Sequence, residues 1–405
     1  MNFTRKNAIF VRPGCLTLSK SVLFFALSFF PSPVLADNAD TVARIGAATG
    51  IGVEIMRPWQ VANVSCVPGD GTIIAIGGHN SKATNKMVAN IALQKAAGMV
   101  PTLDRNAFDL PAVQLKAAKE KVKILVCVQA SSLGAKEKRK DAQEMFAQAG
   151  VPAAAVTVAD GQVDATLRFD DYHLIYFAGG DQNRLKQMFS AEAIANLHRY
   201  LNHGGIISGT SAGAAILSKR MIAGGASPQD GTLSPQVVRT GEGFGFFQCL
   251  PIDMHLFQFH RFARSMAALA LDPRFADGKP HSGGDDEVIL ALGQDCAAFI
   301  QAVKFEKLAS GQISAHQGAE VGAAEKLPPI STTGTDVYLV DNPFTAKPTG
   351  AVKVTLFGST QSWIYQRGPT FQSNLQTLKS PTDLADEWDV KLSVVAPGSW
   401  FVIRW

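Results

Sequence analysis

Gly204-Gly205-Ile206-Ile207-Ser208-Gly209-Thr210-Ser211-Ala212-Gly213-Ala214-Ala215 is the stretch on which the reading of this chain turns. An apolar run stops at a serine flanked by small residues, and Ala214, Ala215, Ile216 and Leu217 continue at helical spacing. Strand, sharp turn and helix in that order make a nucleophile elbow. The turn leaves no room for branched neighbours, and the helix N-terminus behind the serine favours developing negative charge. A tight turn with a serine N-cap gives the same local pattern. The elbow therefore needs partners elsewhere in the chain.

The surrounding sequence supplies a frame for it. Gly71 to His79 reads as a buried strand ending in glycines, followed by a helix over Ala83 to Ala97. Lys123 to Val128 is a second short apolar run, leading through the polar turn Gln129 to Gly134 into a helix over Lys136 to Ala149. Val151 to Val158 and Tyr172 to Phe177 give two more strands. The second ends in Ala178-Gly179-Gly180-Asp181-Gln182, and helical segments to Phe189 and over Ala191 to Leu201 lead to the elbow strand. Short β-branched runs closed by glycine and separated by helices predict an α/β fold, a three-layer α/β/α sandwich with a mainly parallel sheet. In such sheets the loops at the strands' carboxyl ends converge, which would bring His79, Ser131, Gly180 and Ser211 together.

Beyond Gly241 the texture changes. A helix is expected over Phe259 to Leu271, strands over Val288 to Leu292 and Ala297 to Lys304, and further strands in alternating runs such as Val352 to Leu356. This divides the chain into a catalytic α/β domain over 37–341 and a β-rich C-terminal extension over 342–405, with Val321 to Thr333 as a loop or linker.

The 405 residues are 46% hydrophobic and 18% charged with net charge +4, ordinary globular material. The basic run Lys136 to Lys140 is interrupted by Glu137 and reads as a solvated helix face, so nucleic acid is not an expected partner. At the N-terminus Arg5, Lys6, Arg12 and Lys20 precede an apolar stretch from Ser21 to Phe30, then Pro31-Ser32-Pro33 and Val34-Leu35-Ala36. That is the pattern of a cleaved secretory signal over residues 1–36, giving a secreted or periplasmic protein that starts at Asp37 and has no stable membrane insertion. Past Cys15 only Cys66, Cys127, Cys249 and Cys296 remain. These are too few for a disulfide framework, although one bridge stays open. Cys127, inside an apolar run, reads as a small buried hydrophobe.

A serine nucleophile needs a base in hydrogen-bond reach, a group that orients the base, and donors for the oxyanion. Of eight histidines, His255 follows an apolar strand and an aspartate at a strand-to-helix junction and is the first candidate; His79 at a strand end is the second. No paired His/Cys spacing suggests a metal, and no glycine-rich loop leads into a helix with the lysine a nucleotide cofactor needs.

In combination and order, these motifs resemble the cyanophycinase family of serine peptidases, related to aspartyl dipeptidases and more distantly to class I glutamine-amidotransferase-like folds. The resemblance rests on Gly179-Gly180-Asp181-Gln182, Gly209 to Ala214, Gly241-x-Gly243 and Asp253-x-His255 followed by arginines. It implies an exo-acting hydrolase that releases β-Asp-Arg dipeptides through an acyl-enzyme, and it suggests a homodimer. It makes Ser211 the nucleophile and His255 its base, with backbone N–H groups of Ala212 and of the Gly179-Gly180 turn, Gly180 in particular, as the oxyanion hole. It places Gln182, Asp253, Arg261 and Arg264 at the substrate.

Three positions depart from the family pattern. Phe259 stands where the first arginine of the series is expected, and Met254 replaces the glutamine before the base histidine. The third is the acid that orients the base. Strand periodicity puts Gln294 in that slot, while a shifted register would offer Asp286 or Glu287, and Asp295 is a further option. A glutamine carbonyl can hold the imidazole tautomer but supplies no charge to the imidazolium.

Overall fold

A computed structural model of the chain describes residues 53–55, 61–63, 71–225, 238–246, 250–259, 261–270, 288–307, 313–317, 351–367, 390–397 and 400–404. The expected leader over residues 1–36, Cys66, Cys249, Asp286, Glu287 and the expected loop at 321–333 lie outside the described residues.

The apolar runs become strands because each can bury both faces. Two short strands, β1 (Val53–Ile55) and β2 (Val61–Asn63), precede β3 (Thr72–Ile76), which is buried throughout. The chain continues through α1 (Lys82–Ala96), α2 (Ala112–Lys121), β4 (Ile124–Cys127), α3 (Ala135–Gln148) and β5 (Val156–Ala159). Then come β6 (Leu174–Phe177), α4 (Gln182–Gln187), α5 (Ala191–Asn202), β7 (Ile206–Thr210) and the short α6 (Ala212–Ala215). Strands β3, β7, β6, β4 and β5 lie side by side in that order, all parallel.

Strand side chains alternate between faces, and the core divides accordingly. Ile73, Ala75, Leu125, Cys127, Ile175 and Phe177 pack with Leu185 of α4, Leu197 of α5 and Ala214 of α6. Ile74, Ile76, Ile124, Val126 and Leu174 pack on the other face with Val88 and Ile91 of α1, Ala118 of α2 and Phe146 of α3. Helices thus cover a mainly parallel sheet on both sides, as the sequence predicts. Helix α2 was not expected. Only Ala118 of its ten residues is buried, so it carries no apolar stripe that a periodicity reading could detect.

The second half of the chain adds the hairpin β8 (Arg220–Gly224) and β9 (Arg239–Glu242), then β10 (Ile252–Asp253), α7 (Phe262–Ala270) and β11 (Val288–Leu292). After these come β12 (Cys296–Lys307), β13 (Ile313–Gln317), β14 (Ala351–Gly358), β15 (Ser362–Arg367), β16 (Val390–Val395) and β17 (Trp400–Arg404). Strand β12 runs antiparallel to β3 and carries the large sheet on through β14, β17 and β2. A second sheet, ordered β1-β16-β15-β11-β10, contributes Ile252, Leu290, Leu292 and Ile364 to the core shared with α4, α5 and α6. The strands after residue 342 are therefore hydrogen-bonded inside both sheets rather than laid over a finished core: β14 lies between β12 and β17, and β15 between β11 and β16.

Cys127 and Cys296 are both free and buried. Burial pushes both thiols up, Cys296 to about 12.

Candidate active site

Because β3, β6 and β7 are parallel, their carboxyl ends open on one edge. The loops that leave them, at Gly77-Gly78, Gly179-Gly180 and Ser211, meet there. Ser211 sits between β7 and α6 with φ 52 and ψ −117. A non-glycine residue in that region is strained by about 1–3 kcal/mol, and here the surroundings impose it. The Ser211 N–H donates to the Ile76 carbonyl at 2.9 Å, and the N–H groups of Ala214 and Ala215 donate to the Ser211 carbonyl at 2.9 and 3.1 Å. Helix α6 can approach β6 this closely only because residue 213 is glycine; a Cβ there would lie 2.2 Å from the Phe177 carbonyl oxygen.

His255, just after β10, also has positive φ, at 55. Its N–H donates to the Gly77 carbonyl at 2.9 Å, and its ring lies over Gly78, where a Cβ would fall 2.1 Å from Cε1. This places Nε2 2.7 Å from Ser211 Oγ. Burial lowers the His255 pKa to about 4; the neighbouring Arg261 and Arg264 act the same way, Asp253 opposes them, and His79 adds slightly to the lowering. His79, the other candidate base, is exposed and has φ 50.

On the far side of the ring, the Gln294 amide nitrogen lies 2.8 Å from His255 Nδ1. The residue is clamped by its backbone. Its N–H donates to Gln258 Oε1 at 3.1 Å, and the Thr360 hydroxyl donates to its carbonyl. In this orientation the amide N–H donates to Nδ1, so the ring proton sits on Nε2 and faces the serine. Turning the amide over puts Oε1 at the same point, holds the proton on Nδ1 and frees Nε2 to accept. A carboxylate would permit only the second state.

Asp295 turns away from the imidazole. Its Oδ1 accepts from Ser81 N at 2.8 Å and from the Thr84 hydroxyl at 2.5 Å, and its Oδ2 accepts from the Ser359 hydroxyl at 2.6 Å. Burial works against the charge, but these hydrogen bonds outweigh it and hold the carboxyl below its ordinary value. Asp295 ties the α1 N-terminus to the two turns around Gln294. It does not orient the base.

Of the oxyanion donors expected from sequence, Ala212 follows the serine directly and Gly180 follows Gly179, which approaches it. A Cβ on Gly179 would be 3.2 Å from Ser211 Cβ and 3.7 Å from Oγ, so the Gly179-Gly180 turn touches the elbow. Ala212 is the first residue of α6, where an N–H has no partner inside the helix.

The expected substrate contacts fare differently, and three of the four need correction. Asp253 is 0% exposed and the Arg264 side chain 2%. The Arg264 guanidinium grips both Asp253 oxygens, with Nε to Oδ2 at 3.1 Å; Ser265 Oγ donates to Oδ2 and Met254 N to Oδ1, each at 2.8 Å. This pair is enclosed and faces no substrate. A charge this dry needs its partner, and the sequence pattern shows that the residues are close without showing which way they point. Gln182 is also buried, donating its amide N–H to the Ile222 carbonyl at 2.7 Å, which braces α4 against β8.

Arg261 remains partly open. It donates to the Met254 carbonyl at 2.8 Å and lies 4.9 Å from the Phe259 ring centroid, and no carboxylate among the described residues pairs with it. Burial, helped by Arg264 and opposed by Asp253, lowers it to about 10, so it stays charged at neutral pH. Of the two apolar replacements, Met254 is 3% exposed and Phe259 is 53% exposed.

Sequence reasoning missed the side chains that hold this arrangement from outside. Thr210 Oγ1 donates to Asn80 Oδ1 at 2.7 Å, and Asn80 Nδ2 donates to the Tyr176 hydroxyl and to Asn85 Oδ1, both at 3.0 Å. Gln258 and Thr360 belong to the same class. Their partners come from distant segments, so no local pattern marks them.

The family model of peptidase family S51 matches residues 109–271, a span that includes Gly180, Ser211 and His255 and stops before Gln294. The cyanophycinase of Trichormus variabilis is 29% identical over 143 residues, 35% of this chain and 43% of that protein. The cyanophycinase of Synechococcus elongatus is 26% identical over 210 residues, 50% of this chain and 58% of that protein. The chain therefore spans about half the length of these relatives. A peptidase from an acI-B1 Actinobacterium aligns over 67% of this chain and 98% of its own at 13% identity, with a TM-score of 0.35.

Proposed function

We propose that this chain is a secreted serine exopeptidase that hydrolyses β-aspartyl peptide bonds through an acyl-enzyme on Ser211. The observation that supports it most is the line of hydrogen bonds from Ser211 Oγ to His255 Nε2 at 2.7 Å and from Nδ1 to Gln294 at 2.8 Å. That line lies at the sheet edge where an elbow and a glycine turn also meet. The names of the curated relatives suggest the β-aspartyl substrate class.

In this reading the Gln294 amide is turned so that Oε1 accepts from Nδ1–H, and Ser211 Oγ attacks the scissile carbonyl carbon while His255 Nε2 takes its proton. The carbonyl electrons move to oxygen, which the N–H groups of Ala212 and Gly180 hold. Collapse restores the carbonyl, breaks the C–N bond and passes the proton from His255 to the leaving amine. Water then attacks the ester with His255 again as base, releasing a carboxylate and restoring Ser211. Arg261 offers a free cation to a substrate carboxylate. Gln294 orients the imidazole without charge.

Among the described residues an amide and no carboxylate meets His255 Nδ1, and this favours a second reading, a peptide-binding protein with weakened catalysis. Labelling with a fluorophosphonate separates the two. Rapid labelling, lost together with β-aspartyl peptide hydrolysis in Ser211→Ala, is expected for the enzyme. Hydrolysis that survives Ser211→Ala removes the nucleophile assignment. Export belongs to the same reading and is checked by N-terminal sequencing of the mature protein: a start at Asp37 agrees with it, and a retained Met1 does not.

A further inference from the structure

Four large hydrophobic side chains are exposed among the described residues, namely Val100, Val113, Leu133 and Phe259. Single exposed hydrophobics are ordinary on a protein surface. Phe259 differs from the other three in where it stands. Its ring centroid is 5.0 Å from that of His255, with the planes tilted by 47°, and the Arg261 guanidinium carbon is 4.9 Å from the same ring. Its N–H donates to the His255 carbonyl at 3.2 Å, which fixes the backbone beneath it. An aromatic ring that is 53% exposed therefore has both the imidazole and a guanidinium as neighbours.

The charge around this plane is one-sided. Arg264 is neutralised by Asp253, with side-chain exposures of 2% and 0%, while Arg261 has no carboxylate partner among the described residues. With His255 neutral, the surroundings of the ring carry one uncompensated positive charge. A cationic side chain could be attracted to a bare aromatic face. Here it would also meet the Arg261 charge about 5 Å away, a repulsion worth at least about tenfold in affinity at the effective dielectric of a protein surface. An uncharged ring or alkyl chain meets no such opposition and removes apolar area from water as it stacks.

We infer that Phe259, set beside Arg261, which pairs with no carboxylate among the described residues, is a specificity-determining residue that selects β-aspartyl peptides carrying an apolar or aromatic side chain and turns away those carrying arginine. The inference deepens the peptidase reading of the same site and rests on it for the β-aspartyl class. Met254, the other apolar replacement in the motif, takes no part: it is 3% exposed, and its sulfur lies 3.3 Å from Arg264 Nη2.

The test uses Ser211→Ala, which keeps the pocket but forms no acyl-enzyme, and titrates it calorimetrically with β-Asp-Phe, β-Asp-Leu and β-Asp-Arg. The expected order is Phe, Leu, Arg, with at least about tenfold between the first and last. Adding Phe259→Ala should weaken β-Asp-Phe about tenfold and leave β-Asp-Arg within about twofold. The side chain is exposed, so unchanged circular dichroism is expected. Equal or tighter binding of β-Asp-Arg overturns the inference, as does an equal loss for both peptides in Phe259→Ala or the failure of all three peptides to bind. Turnover by the unaltered protein is read in parallel. If it cleaves none of the peptides while the binding order holds, the subsite stands and the peptidase reading falls. If it cleaves β-Asp-Arg fastest, the subsite falls and the peptidase reading stands.

Discussion

Two supports meet at His255, and they are made of opposite materials. Beneath the backbone, Asp253 and Arg264 form a full ion pair, 0% and 2% exposed, completed by Ser265 and the Met254 N–H. Behind the ring, Gln294 holds Nδ1 with an uncharged amide at 2.8 Å. Charge is used where it fixes the chain and is absent where it would stabilise an imidazolium. In a Ser-His-Asp arrangement the acid performs both tasks, and its loss is worth about 10⁴ in turnover. Here the two tasks fall to different residues. Holding the loop that carries His255 is therefore separable from tuning the ring.

The largest effect should come from breaking the charged support. Asp253→Asn leaves the Arg264 guanidinium enclosed without its counter-charge, which should cost about 3–5 kcal/mol of stability. A urea unfolding series reads this as a lower midpoint. A loss under about 1 kcal/mol would show that the pair is hydrated and not structural.

Giving charge to the neutral support should sharpen the contrast next. The base works only when unprotonated, and the His255 pKa is lowered to about 4 by burial and the two arginines. The acid limb of kcat/KM should therefore lie near pH 4, with activity intact at pH 6 and lost as pH falls below 4. Gln294→Glu places a carboxylate on Nδ1 and stabilises the imidazolium. The acid limb should then move up by about 1–3 units, with higher turnover near neutral pH. An unmoved limb would mean that His255 is not the titrating base.

A smaller effect tests the frame around Gln294. Asp295→Ala removes the carboxylate that binds the N–H of Ser81, the N-cap residue of α1, together with the Thr84 and Ser359 hydroxyls. It should cost about 1–3 kcal/mol in thermal or urea unfolding, as the loss of hydrogen bonds to a charged group does, and should lower kcat with little change in the acid limb. A shift of the limb would instead give Asp295 an electrostatic role.

Much of this was legible in order along the chain. Ser211 and Gln294, singled out from sequence with His255, each come within hydrogen-bond distance of its ring. An elbow is a local event: a β-branched run, a small-residue turn and a helix start need only neighbouring residues to be recognised. The limits of β11, Val288–Leu292, could be read from apolar continuity alone. Helix α2 could not, because it buries one alanine and leaves no stripe. The C-terminal strands were recognised as strands, but their places between β12 and β17 and between β11 and β16 depend on pairings across long stretches of chain.

By itself the sequence determined the parallel α/β frame and the residues that could do chemistry at its edge, because side-chain periodicity and turn chemistry act over a few residues. Only the tertiary structure decided which way the polar groups near His255 face. Asp253 and Arg264 turned inward to each other, Gln182 went to the β8 backbone and Asp295 to the α1 N-terminus, while Phe259 and Arg261 stayed at the surface. The physical reason is desolvation. Whether a charged side chain meets substrate or a partner is settled by the cost of burying it unpaired, and that cost depends on groups supplied by segments far away in the chain.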